Sequence, residues 1–559
     1  MGFIRSHKLL IIGLLYALIY CVFTFPSVLN PVHSLIGKND AYMFLWNSYG
    51  LHQAFGTGTP WHTQEMLYPW GAPLLGKAYI PPVSLLFAIL PQHQLLLYNI
   101  AFLVMFVLSG IGAYLLARHF IQNHFYAFIC GFVFAFSPFK MARIEEHYTF
   151  VFTGLMPFLI LLYIKTFEPM RFLPQFWKVP AKRLIGLSLL AVGVIASDFF
   201  VFIQAGYFFC FIIIYQFLSP LVTKRPILWG IGAALFFVAM HFTVTALIAA
   251  GVSDNAALWF SGHWSDFVIP YNSAFYTFLG NNAPAGSKTI ESAMFLGYSL
   301  LVLLAVAVAV SFRKQLSDQV KMLGFVVIML MMIVMPVFLV GPIKLYPPTA
   351  VLHFLPVFTS FRCPTRFVNL LFLILPIVSL MLIEKNATSK YVRYGIVGSL
   401  FLFMIIEYAP STYARMSDRN IPEIYRDLGK EQGRAVLTYP FGLRDGFREE
   451  GHFDERQAFY QIWHMKPMVG GYFSRTDGWM WDVHHANPLT QALFDLQKDP
   501  QFSPAPMDAR KAMSELKIDI ILIDSAYQHE RGAQFLDSIA QSISMQKHSA
   551  NGGHYYFIE

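Results

Sequence analysis

The chain has 559 residues, of which 56% are hydrophobic and only 13% charged, with a formal net charge of +8 and a mean hydropathy of +0.51. Soluble domains carry about twice that charged fraction, which excludes a soluble globular protein. The positive balance does not point to nucleic acid, because the basic residues of the apolar part lie mostly in short loops, where they set membrane orientation.

A membrane-crossing helix needs about 20 apolar residues. The first such run, 9–28, is followed by no Ala-x-Ala site, so it is read as a retained helix rather than a cleaved signal. Further helices are expected at 94–117, 124–138, 148–165, 184–197, 199–219, 227–250, 292–312, 322–341, 367–384 and 394–410. The expected fold is therefore an α-helical polytopic membrane protein of about 11 transmembrane helices. With Arg5 and Lys8 in the cytoplasm, the inner loops carry Arg118, then Lys165 to Arg183, Lys224 and Arg225, Arg313 to Lys321, and Lys385 to Arg393. The outer loops, 29–93, 251–291 and 342–366, are longer and poorer in Lys and Arg, which predicts a cytoplasmic N-terminus.

Beyond Pro410 the composition becomes charged and mixed. Strand-like runs at Ala435–Tyr439, Ile518–Ile523 and Tyr555–Ile558 stand among amphipathic helical stretches at Pro422–Leu428 and Ala509–Leu516. The division expected is a transmembrane domain over 1–410, with the large first outer loop 29–93, and an extracytoplasmic α/β domain over 411–559. Cys21, Cys130, Cys210 and Cys363 have neither metal-ligand spacing nor a disulfide framework and are expected to be buried thiols.

Ionisable residues collect on the outer side. Asp40 follows the first helix. It can cap the segment starting at Ala41, and it can serve as general base toward an acceptor hydroxyl. Lys140 and Arg143 precede Glu145, Glu146 and His147. A solvated loop leading into a helix explains that run, and so do a phosphate-pairing cation and an acid–base group. Asp198 sits in a tight connection between two helices and is read as a cavity-lining acid, because charge at membrane depth usually faces an interior or water. Arg362 and Arg366 read either as snorkelling anchors or as a phosphate clamp with planar donor forks. Trp46, Tyr68, His263 and Asp266 fit sugar or acceptor contacts, and an interfacial aromatic belt accounts for the tryptophans equally well. The sequence contains no Walker loop, His-Glu-x-x-His or Gly-x-Ser-x-Gly. A sugar donor on the outer face would therefore be lipid-linked.

Several stretches together resemble the bacterial GT-C-type membrane glycosyltransferases that use polyprenyl-phosphate-linked sugars. They are Asn39-Asp40 through Trp46, Met66-Leu67-Tyr68-Pro69-Trp70-Gly71, Phe136-Ser137-Pro138 to His147, Phe361-Arg362-Cys363-Pro364-Thr365-Arg366-Phe367 and Leu437-Thr438-Tyr439-Pro440. The resemblance implies a multi-pass protein of the bacterial inner membrane with a periplasmic C-terminal domain, and it puts Asp40 in the catalytic role. Glu146, His147 and Asp198 are further acid–base candidates, and Lys140, Arg143, Arg362 and Arg366 would hold the donor phosphate. The acceptor would be a glycan, lipid or protein, with membrane lipid as the surrounding partner and no nucleic acid. Asn39 precedes Asp40, so the loop has no adjacent pair of acids for a metal, and use of Mg or Mn stays open. The rival readings are a lipid-linked glycan flippase or transporter, an O-antigen polymerase or ligase, and a non-catalytic membrane assembly protein.

Overall fold

The computed structural model describes residues 2–59, 61–74, 83–86, 90–167, 179–251, 258, 260–270, 273–279, 291, 293–354, 363–473, 476–499 and 501–558. Helices dominate the first three-quarters of the chain. They are α1 (Gly2–Phe23), α2 (Asp40–Gly56), α3 (Gln94–Phe120), α4 (His124–Ala135), α5 (Pro138–Arg143), α6 (Met156–Phe167) and α7 (Ala181–Ser197). After them come α8 (Phe199–Lys224), α9 (Pro226–Ala249), α10 (Tyr298–Ser311), α11 (Asp318–Val334), α12 (Val368–Asn386) and α13 (Val397–Tyr408). Each of the eleven apolar runs carries a helix. Among the described residues, six helical stretches are long and apolar enough to cross a membrane: Gln94–Phe120, His124–Arg143, Phe199–Lys224, Pro226–Ala249, Pro364–Asn386 and Tyr391–Tyr408.

The chain forms two compact units. The helical unit comprises 1–25, 102–144 and 150–413. Its centre is α12, which packs against α10, α11 and α4 and has 94% of its apolar window buried, against 6% for α9. Pro364 opens the turn leading into α12, where the missing N–H costs nothing. Glu407, on the last turn of α13, is fully buried. Its carboxylate accepts from Tyr298 N at 2.7 Å, Ser299 N at 3.1 Å and the hydroxyls of Tyr276 and Ser299. It thereby satisfies the orphan amides at the start of α10 and meets their positive end.

Some local boundaries differ from expectation. Residues 144–146 lie in a turn, and the helix expected from 148 begins at Met156, after the Thr153-Gly154 break and with Pro157 in its first turn. Asp198 is the N-cap of α8, accepting from Val201 N at 2.9 Å. All four cysteines are free. Cys130 and Cys363 are buried, Cys21 is half-buried, and Cys210 is exposed on α8. Helix α8 is long and apolar enough to cross a membrane, where a thiol needs no protein cover.

The mixed unit comprises 26–101, 145–149 and 414–559. Besides the short pair His62–Thr63 and Ala72–Pro73, its strands are β1 (Ser34–Ile36), β2 (Arg415–Ser417), β3 (Val436–Tyr439), β4 (Gly442–Arg444), β5 (Glu449–Gly451), β6 (Gly471–Tyr472), β7 (Ile520–Asp524), β8 (Gln546–Ala550) and β9 (Gly553–Phe557). The largest sheet has the order β8-β9-β7-β3, with β7 and β3 parallel and the other pairs antiparallel. All of β3 and β7 is buried, in keeping with their mostly apolar residues. Its later helices are α14 (Glu423–Leu428), α15 (Arg456–His464), α16 (Gly478–Ala486), α17 (Pro488–Lys498), α18 (Ala509–Glu515) and α19 (Arg531–Ser542). Helix α2 packs on α15. Its residues Ala41, Met43 to Leu51 and Ala54 are buried, because apolar residues occupy all its faces.

Candidate functional site

In the mixed unit, Asp40 is the first residue of α2 and the N-cap position falls on Asn39, one residue earlier than the expected cap. A first-turn carboxylate is favoured by the helix dipole. Asn39 has φ +48° and ψ −117° and makes no side-chain cap bond. Its amide donates instead to Glu146 Oε1 at 3.1 Å. That left-handed backbone costs on the order of 1–3 kcal/mol for a residue with a Cβ, and a set of cross-ties holds it. Lys38 N donates to Glu145 O at 2.9 Å, Gly37 N to Ala414 O at 3.0 Å, Tyr148 Oη to Ile36 O and Ala414 N to Glu145 Oε1. The Lys38 ammonium lies 3.1 Å from Glu145 Oε2 and 3.5 Å from Glu146 Oε1. Burial pushes the Glu146 carboxyl above its ordinary pKa, and Lys38 offsets part of that rise.

Asp40 also belongs to the field of Arg444. Burial would discharge that guanidinium, yet Glu455, Tyr472, Glu449 and Asp40 hold its pKa above the usual value. Arg444 lies over the Tyr472 ring, 4.9 Å from its centroid. The arrangement fixes an acid at a helix start beside a second, half-buried acid.

In the helical unit, Arg143 and Arg366 share one carboxylate, Glu291, which sequence reasoning missed. Arg366 Nε donates to Glu291 Oε2 at 3.0 Å, and Arg366 Nη2 pairs with Oε1. Arg143 Nη2 reaches Oε2 at 3.5 Å. Arg143 is fully buried, with its guanidinium 3.8 Å from the Phe139 ring centroid, and Arg366 keeps about a quarter of its side chain exposed (24%). Asp198 acts electrostatically on Arg366. Gln204 donates to Arg366 O at 2.9 Å and accepts from Asn369 Nδ2 at 3.2 Å. Three buried polar atoms along this network, Arg143 Nε, Thr365 Oγ1 and Asn369 Oδ1, have no hydrogen-bond partner among the described residues. Buried polar atoms are normally satisfied by protein, water or ligand.

The remaining sequence candidates fall as follows. Lys140 is fully buried, with Nζ 3.0 Å from Ser109 Oγ and 4.3 Å from the Phe134 ring centroid. His263 and Asp266 form a capping box on a single short turn, His263 N donating to Asp266 Oδ2 at 2.9 Å. Trp46 is completely buried and gives its indole N–H to Gln461, so its ring packs α2 within the unit. Tyr68 precedes a cis peptide at Pro69 and donates its backbone N–H to Met468 O at 3.0 Å. His147 follows the turn that carries Glu146 and is half-buried. Arg362 lies outside the described residues. Among the described residues, no three His, Cys, Asp or Glu side chains are grouped to hold a metal.

The chain is similar to the oligosaccharyltransferase of Archaeoglobus fulgidus in its apo form, at a TM-score of 0.51 and 12% identity over 97% of this chain and 72% of that one. It is also similar to that organism's oligosaccharyltransferase AglB in complex with an inhibitory peptide and a dolichol-phosphate (TM-score 0.44, 11% identity, 96% and 71% covered). A third similar structure is the Archaeoglobus fulgidus oligosaccharyltransferase with zinc and sulfate (TM-score 0.46, 10% identity, 95% and 69% covered). The first of these likenesses shows a fold similar to that of the Archaeoglobus fulgidus oligosaccharyltransferase. No curated protein matches the chain. Residues 11–406 match the family described as a domain of unknown function, DUF6311, and the chain belongs to that family.

Proposed function

We propose that this protein is a membrane glycosyltransferase, moving a sugar from a polyprenyl-phosphate-linked donor to a glycan, lipid or protein acceptor on the periplasmic face of a bacterial inner membrane. The observation that carries the reading is the buried two-arginine network with its unpartnered donors, within an oligosaccharyltransferase-like fold. Arginine forks suit phosphate oxygens.

In this reading Arg366 contacts the donor phosphate, with Arg143 and Lys140 behind it, and the polyprenyl chain stays in lipid. The bond from sugar C1 to the phosphate oxygen breaks, and the electron pair leaves with the polyprenyl phosphate. The acceptor oxygen bonds to C1, and its proton passes to the Asp40 carboxylate. Glu146 and His147 support that acid, and Asp198 keeps Arg366 oriented. Tyr68, His263 and Asp266 are held as sugar or acceptor contacts, and residues 411–559 form the outer α/β domain that presents the acceptor. The phosphate is already a good leaving group, so positioning and charge stabilisation supply most of the rate.

The test uses full-length protein in lipid nanodiscs with radiolabelled C55 polyprenyl-phosphate sugars and acceptor membranes. Asp40→Asn should cut transfer by about 100-fold or more, in line with the loss of a positioned general base. Equal transfer by wild type and variant removes Asp40 from the mechanism, and movement of intact lipid without transfer favours a flippase.

A further inference from the structure

The arginine network also limits how much negative charge a ligand can bring. Among the described residues the two cations, Arg143 and Arg366, share one salt-bridged anion, Glu291, which bridges both guanidiniums. The network therefore has room for about one negative charge.

Its unpartnered atoms state the same preference. Arg143 Nε and Thr365 Oγ1 can donate to phosphate oxygens, whereas Asn369 Oδ1 accepts only and asks for a hydroxyl or water. A phosphodiester joined to a sugar offers both. Glu291 is held by nitrogens of two arginines and is itself nearly buried. It cannot leave without stranding two like charges in a low-dielectric interior. A second phosphate brought to Arg366 would face that fixed carboxylate, and like charges at such range are strongly disfavoured.

We propose that this network, taken as the phosphate site of the proposed transferase, accepts a donor linked through a single phosphate, and that Glu291 is the residue that rejects a diphosphate linkage. The inference rests on the phosphate reading above, and the experiment separates the two.

Full-length protein in nanodiscs is titrated with two probes, each a C55 polyprenyl chain bearing mannose, one joined through a phosphate and one through a diphosphate. Wild type should bind the single-phosphate probe at least ten-fold more tightly. Glu291→Gln should shrink that ratio ten-fold or more, chiefly by strengthening diphosphate binding. Should that variant not fold, Arg143→Met combined with Glu291→Gln removes one charge of each sign, and it too should narrow the ratio. Equal or tighter binding of the diphosphate by wild type, or an unchanged ratio in a folded Glu291 variant, overturns the proposal. Arg366→Met binding both probes as wild type does, or wild type binding neither probe, overturns the phosphate reading itself and the proposal with it.

Discussion

The two units solve the same electrostatic problem in opposite ways. In the mixed unit one cation, Lys38, is shared by two acids, Glu145 and Glu146, with the lysine side chain 42% exposed. In the helical unit one acid, Glu291, is shared by two cations, Arg143 and Arg366, with Arg143 fully buried. The first arrangement keeps its lysine half in water, where an ion pair gains little and loses little. The second has given up its hydration, so each member depends on the others. Burial, rather than the number of pairs, decides which cluster the fold depends on.

The largest expected effect follows from that difference. Glu291→Ala leaves two guanidiniums facing each other without a counter-ion, and unfolding free energy should fall by about 3–5 kcal/mol, as for other broken buried pairs. Arg143→Met with Glu291→Gln removes a matched pair and should recover more than half of the loss. Denaturant unfolding in micelles, followed by tryptophan fluorescence, measures both. A Glu291→Ala variant as stable as wild type would show that water reaches the network freely and would erase the contrast.

A fourth acid sharpens the comparison, because among the described residues it pairs with no cation. Glu65 forms no salt bridge among the described residues. Tyr49 Oη donates to its Oε2 at 3.2 Å, and burial pushes its carboxyl up to about 7. A carboxyl raised in the folded state adds stability below its unfolded pKa and loses it as pH climbs through the folded value. Glu65→Gln, a standing mimic of the protonated form, should therefore match wild type at pH 4.5. By pH 8.5 it should be more stable by about 3 kcal/mol, since each pH unit between the unfolded and folded pKa values contributes about 1.36 kcal/mol. The readout is the difference in unfolding free energy between the two proteins across that range, and a flat difference would mean the carboxylate is solvated.

Much of the architecture is legible in the sequence, because hydropathy and periodicity are local properties. Every apolar run carries a helix, and the strand-like runs at 435–439, 518–523 and 555–558 fall on β3, β7 and β9. What escapes is pairing at a distance. Arg143 and Glu291 are 148 residues apart and Glu291 and Arg366 are 75 apart, and nothing in either neighbourhood announces the other. Glu407 carries a weak local sign, an acid closing the apolar run Met404-Ile405-Ile406, and only the fold supplies the amides it caps. Trp46 shows the opposite limit. An indole read as a sugar or acceptor contact is buried, because the pattern of α2 does not reveal which elements cover it.

The smallest effect belongs to Lys38. Lys38→Met removes a half-exposed cation from two acids that keep other partners, Glu145 through the Ala414 N–H and Glu146 through the Asn39 amide. The expected cost is under about 1 kcal/mol, as for exposed ion pairs. It should shrink further in 1 M salt, where the Debye length is about 3 Å. The Glu146 carboxyl should move further up, since Lys38, ahead of the Asn39 amide, lowers it against burial. Unfolding at 0.1 M and 1 M NaCl tests the first expectation. A cost of several kcal/mol, unchanged by salt, would mean that Lys38 holds the strained Asn39 backbone in place as firmly as Glu291 holds its arginines. The two clusters would then share one physics, and burial would no longer be what separates them.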